Sequence, residues 1–103
     1  MDRAKDLLQR AVTGMLPAAK RAEFEVCMAW ARAVGPEVAE RTWPVRLTAG
    51  TLIVATTNAA WATELGYLAE DFRQKLNDAL ETDVVSHIRF VVRPRPQETD
   101  GRG

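Results

Sequence analysis

Five arginines, Arg41, Arg46, Arg89, Arg93 and Arg95, and the chain's one histidine, His87, fall in two stretches, 41–57 and 84–95, that contain neither acid nor lysine. Guanidinium groups gathered on one face of a sheet can follow a phosphate backbone, because each pairs bidentately with phosphate. The plainer reading of the same residues is a solubilising edge that discourages strand-to-strand association. These stretches carry a net charge of +5, whereas residues 59–83 carry six acids against Arg73 and Lys75, a net of −4. The formal charge of the whole chain is zero, which argues against a strong electrostatic binder of nucleic acid. The expected feature is a charge polarity between segments, with Arg41, Arg46, His87, Arg89, Arg93 and Arg95 as the candidate nucleic-acid-binding set.

No catalytic constellation accompanies them. Cys27 falls on an apolar helical stripe, where an inert thiol is expected, and His87 on the polar side of a strand, where solvation is expected. There is no metal-ligand spacing of Cys or His and no glycine loop of the kind that cradles phosphate. The reading is therefore non-enzymatic, with no catalytic residue, cofactor, metal or small-molecule substrate. Trp30 and Trp61 lie on helical stripes and are expected in the core. Trp43 opens an edge strand between Arg41 and Arg46; it has a packing reading and, being partly exposed, a base-stacking one.

The elements that must position these residues follow from periodicity. In a chain of 103 residues, 47% apolar and 27% charged, one compact globular domain is expected. Residues 1–17 read as an amphipathic helix with Ala4, Leu7, Leu8, Ala11, Val12 and Met15 at helical spacing, ended by Pro17. A second helix over 18–34 carries Phe24, Cys27, Met28, Ala31 and Val34, widened by Val26 and Trp30, and Gly35-Pro36 stops it. Pro36 to Glu40 suits one further short turn.

The period then shortens to two. Trp43, Val45 and Leu47 alternate with Pro44 and Arg46 in an edge strand, since Pro44 donates no ladder bond. Thr48-Ala-Gly50 supplies a turn into a partner strand, Thr51 to Thr57; the sequence leaves its register open, and a two-residue loop, which points Leu52 and Val54 inward, is preferred because it buries the larger side chains. Asn58 caps a long helix presenting Trp61, Leu65, Leu68, Phe72, Leu76 and Leu80, in which Gly66 permits a bend. Val84 to Val92 forms the last strand, with Ile88, Phe90 and Val92 alternating with His87, Arg89 and Arg93. Residues 94–103 read as a disordered tail. The order α-α-β-β-α-β implies an α+β domain, a small three-stranded sheet with helices on one face and arginines on the other. The lone cysteine, the lack of an apolar run long enough to span a bilayer and the acids near the N-terminus point to a cytoplasmic protein with no membrane partner.

Several of these segments also form an ordered set. Trp30-Ala-Arg-Ala-Val-Gly35, Thr42, Ala49-Gly50-Thr-Leu-Ile-Val54, Asn58-Ala-Ala-Trp-Ala-Thr-Glu-Leu65, Lys75-Leu-Asn77 and Val85-Ser-His-Ile-Arg-Phe90 together resemble the DciA family of bacterial proteins, over residues 20–92. The resemblance implies a KH-like domain over 18–93. It also implies a role beside the replicative DnaB-type helicase, with binding to that helicase and to DNA that assists helicase loading. The Gly-x-x-Gly loop by which KH domains clamp nucleic acid is missing, a departure from that fold's binding device, and the DNA binding expected of this chain is weak and to single strands. A protein-only scaffold without nucleic-acid binding is the alternative.

Overall fold

A computed structural model describes residues 16–95. The N-terminal helix expected over 1–17 and most of the tail expected from Pro94 lie outside them. The described chain runs α1 (Ala18–Val34), α2 (Pro36–Ala39), β1 (Thr42–Thr48), β2 (Thr51–Thr56), α3 (Ala59–Gly66), α4 (Ala69–Leu80) and β3 (His87–Val92). This is an α+β fold with a three-stranded mixed sheet in the order β1-β2-β3. β2 pairs antiparallel with β1 and parallel with β3, so the α3–α4 pair is the crossover that a parallel connection requires.

The helices pack on the sheet face of Leu52 and Val54. Val26, Ala29, Trp30, Leu52, Val54, Leu65, Phe72, Leu76 and Val85 form the buried core. Trp30, Phe72 and Phe90 meet as a triangle of rings with centroids 6.0, 6.2 and 6.3 Å apart, in tilted and edge-on geometries that suit aromatic quadrupoles. Trp30 also needs a partner for its indole N–H. Its Nε1 donates to Thr42 Oγ1 at 2.9 Å, and that hydroxyl donates onward to the Val38 carbonyl at 2.8 Å. The face of α1 that enters the core is therefore Val26, Ala29 and Trp30, and Met28, expected on the stripe, stands exposed.

The hairpin has the expected two-residue loop, with Leu52 and Val54 fully buried. Ala49 (φ 49°) and Gly50 (φ 83°) both take the positive φ that a primed type I turn demands. Gly50 is required for a second reason. A Cβ there would lie 2.9 Å from Ser86 Oγ, while its carbonyl accepts from the Ser86 N–H at 2.7 Å. The turn thus holds the chain just before β3.

Three local expectations are corrected. In β1, Pro44 faces Val54 and Arg46 faces Ile53, so Val45 is the extra residue of a β-bulge. Alternation resets there: Trp43 and Arg46 share the outer face instead of opposing each other. The cause is Pro44, which has no N–H for the ladder. The last strand begins at His87 and not at Val84, because Asn77 of α4 takes the place of a strand neighbour for Val85. Its Nδ2 donates to the Val85 carbonyl at 2.8 Å and its Oδ1 accepts the Val85 N–H at 3.1 Å.

The third correction concerns the long helix after Asn58. Asn58 caps it as expected, Oδ1 accepting the Trp61 N–H at 3.1 Å, yet the helix ends at Gly66 and restarts at Ala69. At the break the Tyr67 and Leu68 N–H groups turn back to Glu64 and Leu65 in i→i−3 bonds, and Leu68 sits at φ −102°, ψ 4°. Gly66 weakens the ladder there. The break re-phases the helix so that Leu65, Phe72 and Leu76 stay buried while Leu68 turns outward.

Candidate functional surfaces

Register assigns the outer face of the sheet. Strand partners point to the same side, so β2 presents Thr51, Ile53 and Ala55 outward, aligned with His87, Arg89 and Val91 of β3 and with Thr48, Arg46 and Trp43 of β1. Arg46 and Arg89 therefore flank Ile53, two strand spacings or about 10 Å apart at the backbone. Arg93 follows the end of β3, its N–H donating to the Thr56 carbonyl at 2.9 Å.

Arg46, Arg89 and Arg93 are exposed. Among the described residues the ion pairs are Lys20–Glu23, Arg73–Glu70 and Lys75–Asp71, all within helices. The sheet arginines have no carboxylate partner among them. Glu23 lies at the same edge of the sheet as Arg46. Its Oε2 accepts the Leu47 N–H at 2.8 Å, and this bond, with smaller help from Lys20 and Arg46, holds its carboxyl below the usual range against the opposing effect of burial.

The other candidate residues are placed differently. Arg41 is exposed, and its guanidinium lies over the Trp61 ring of α3, 5.1 Å from the centroid. Arg95 lies over Trp43, 5.3 Å from the centroid, while its Nη2 donates to the Glu40 carbonyl at 2.6 Å. His87 is exposed at the start of β3. Its charge reaches Glu70 of α4, whose carboxyl is lowered chiefly by the hydrogen bond from Arg73 and only slightly by His87. Register thus places Arg46 and Arg89 on either side of Ile53, Arg93 follows the end of β3, Arg95 lies over Trp43, Arg41 lies over Trp61, and His87 stands exposed at the start of β3.

Sequence reasoning missed a second surface, at the α3–α4 elbow. Tyr67 is 82% exposed and Leu68 47% exposed, both apolar rings or chains at the break. Trp61, Glu64, Leu65, Tyr67 and Leu68 line a shallow groove of about 220 Å³, continuous through Trp61 and Glu64 with another of about 310 Å³ beside Asn58 and Ala60. The signal was present in Gly66-Tyr67, an aromatic residue out of phase with the stripe immediately after the residue able to break it. Among the described residues no cluster of three His, Cys, Asp or Glu is placed to share a metal ion, and no helix is long and apolar enough to cross a membrane.

Known proteins share this arrangement of sequence. A sequence model of the family described as "Dna[CI] antecedent, DciA" matches residues 3–90. The chain belongs to the DciA family. A UPF0232 protein of Mycobacterium marinum is 31% identical over 88 residues, covering 80% of this chain and 47% of its own length. A UPF0232 protein of Mycobacterium leprae is 33% identical over 72 residues, covering 70% of this chain and 38% of its own, and one of Mycobacterium tuberculosis is 32% identical over 88 residues. This chain spans about half the length of such relatives or less. The DciA match covers every described element, the elbow and the arginine face included, except the last residues of β3 and the Arg93–Arg95 strap.

Proposed function

We propose that this DciA-family domain is a non-enzymatic cytoplasmic adaptor with two working surfaces, one for nucleic acid and one for protein. The observation that carries the nucleic-acid half is the outer sheet face, where Arg46, Arg89 and Arg93 are exposed without carboxylate partners among the described residues. Three phosphate contacts in a chain of zero net charge support weak, salt-sensitive binding of single-stranded DNA.

The protein half rests on family membership and on the elbow. The partner that the DciA family suggests is the replicative DnaB-type helicase, and the groove around Trp61, Tyr67 and Leu68 is the apolar surface on which it docks. Exposed apolar groups beside a charged rim are what a protein interface buries. Bringing helicase and DNA to opposite sides of one small domain is how such an adaptor assists loading.

The test separates the halves. A fluorescent oligothymidine should bind the full chain at low salt, lose affinity steeply as salt rises, and fail to bind the triple Arg46→Glu, Arg89→Glu, Arg93→Glu variant. The purified helicase should be retained by that same variant. If the wild-type chain bound no DNA at low salt while still retaining the helicase, the protein-only scaffold would be the correct reading, which the elbow alone supports.

A further inference from the structure

Among the described residues of the outer face, Trp43 carries the one indole, and its surroundings are unusual. Trp43 aligns with Ala55 of β2 and Val91 of β3 on the side away from the core. Ala55 nevertheless has no exposed surface. Among the described residues of this row, Ala55 lies between Trp43 and Val91, and the Arg95 guanidinium lies over the Trp43 ring. The indole has a supported side toward the sheet and another occupied by a guanidinium.

That guanidinium is a planar cation stacked where a nucleobase would stack. Its attachments are weak: one partly exposed cation–π contact and one hydrogen bond to the Glu40 carbonyl. Stacking of a base on an aromatic ring is the stronger contact of the two. Releasing Arg95 needs only a side-chain movement, since the ladder ends before it with the Arg93 N–H on Thr56. The row of Trp43 neighbours the row of Arg46, Ile53 and Arg89, so a base on Trp43 puts its own backbone against the unpaired arginines.

We infer that Trp43 is a base-stacking position for single-stranded nucleic acid, and that Arg95 occupies the ring until an unpaired base displaces it. This rests on the reading of the sheet face as a nucleic-acid surface and adds a preference to it. A strand with bases binds more tightly than a bare sugar-phosphate backbone, and a duplex, whose bases are already stacked, gains nothing from Trp43.

The experiment compares oligothymidine, an abasic oligomer of the same length and a duplex, each titrated at low salt against the full chain and its variants. Wild type should prefer oligothymidine over the abasic strand by roughly tenfold. Trp43→Leu should bring the two affinities together, and Trp43→Phe, a smaller ring, should recover part of the preference. Arg95→Ala should widen the preference while lowering binding of both strands through the lost charge. Equal affinity of wild type for the two single strands overturns the inference and leaves the proposed function standing. So does a preference unchanged in Trp43→Leu. No binding of any oligomer by wild type removes the nucleic-acid reading itself, and the inference with it.

Discussion

The sheet face and the α3–α4 elbow solve opposite problems. The sheet face is paired backbone carrying charge: register, reset by the bulge at Val45, puts Arg46 and Arg89 on either side of Ile53, and each strand is held by ladder bonds. The elbow is irregular backbone carrying apolar surface: two i→i−3 bonds replace the helical ladder, and Tyr67 and Leu68 are left in solvent. Charge is inexpensive to display on a stable ladder, because solvated arginines cost the fold little. Exposed apolar residues gain nothing for the isolated fold, and on the proposed function they are what the partner covers. On the proposed function, electrostatic and apolar recognition are segregated on one small domain, and each half can be damaged alone.

The largest expected effect comes from the residue that holds the sheet face in place. Replacing Asn77 by Leu leaves the buried N–H and C=O of Val85 without partners, a loss of about 3 kcal/mol at about 1–3 kcal/mol per orphaned group. Against a total of about 5–15 kcal/mol for a domain of this kind, that is a large share. Urea unfolding should show a midpoint shifted far down, and at low urea the start of β3 should exchange its amides first. Survival of the wild-type midpoint would mean that Asn77 does not hold β3.

Next in size is the elbow itself. Tyr67→Ser with Leu68→Asp should reduce helicase retention by tenfold or more, as expected when apolar anchors of an interface are removed. Both side chains are largely outside the core, so the unfolding midpoint should move little, and oligothymidine affinity should stay at the wild-type value. Loss of DNA binding together with helicase binding would show that the two surfaces are not separate.

These two tests touch features of unequal visibility in the sequence. The bounds of α1, the Asn58 cap, the Ala49-Gly50 turn and the inward pair Leu52 and Val54 were legible, because each depends on local chemistry: a stop signal, a cap, two positive φ values, an alternating strand. The bulge at Val45, the break at Tyr67 and the late start of β3 were not. Each results from competition between a local pattern and a distant partner: Pro44 against the ladder with β2, the stripe of α3–α4 against the core, Asn77 against the continuation of β3. At the site, the acid-free stretches singled out all six candidates together, and it is strand register that places Arg46 and Arg89 on either side of Ile53. The stacking of Arg41 on Trp61 and of Arg95 on Trp43 joins residues 20 and 52 positions apart, and no local pattern encodes it.

A smaller effect is expected at the edge of β1, where α1 reaches the strand through Glu23. Its carboxyl is held below its ordinary value, first by the Leu47 N–H, so the group binds its proton less readily folded than unfolded. The stability it adds is present above the unfolded value, near about pH 4.3, and is lost as pH falls through the lower folded value. Glu23→Gln keeps an acceptor without the charge. The stability difference between wild type and this variant, about 1 kcal/mol or less for a partly exposed bond, should therefore vanish as the pH falls from about 6 to about 3. A difference independent of pH would remove the charged hydrogen bond as its cause. Helicase retention, which depends on the elbow, should be the same in both proteins.

The smallest effect is a gain, and it sharpens the contrast from the other side. Ala49 holds a positive φ of 49° at the first position of the hairpin turn, where asparagine is the preferred residue and a Cβ without a polar group is strained. Ala49 is exposed and no buried side chain depends on it. Ala49→Asn should raise stability by about 0.5–1 kcal/mol, seen as a higher urea midpoint with an unchanged slope. The turn joins the strands that carry Trp43, Arg46 and Ile53, so this substitution firms the scaffold of the sheet face and leaves the elbow untouched. DNA affinity should hold or rise slightly while helicase retention stays constant. If instead the substitution weakened helicase retention, the hairpin would have to belong to the protein-binding surface, and the division between a charged ladder and an apolar break would be wrong at its nearest point to the turn.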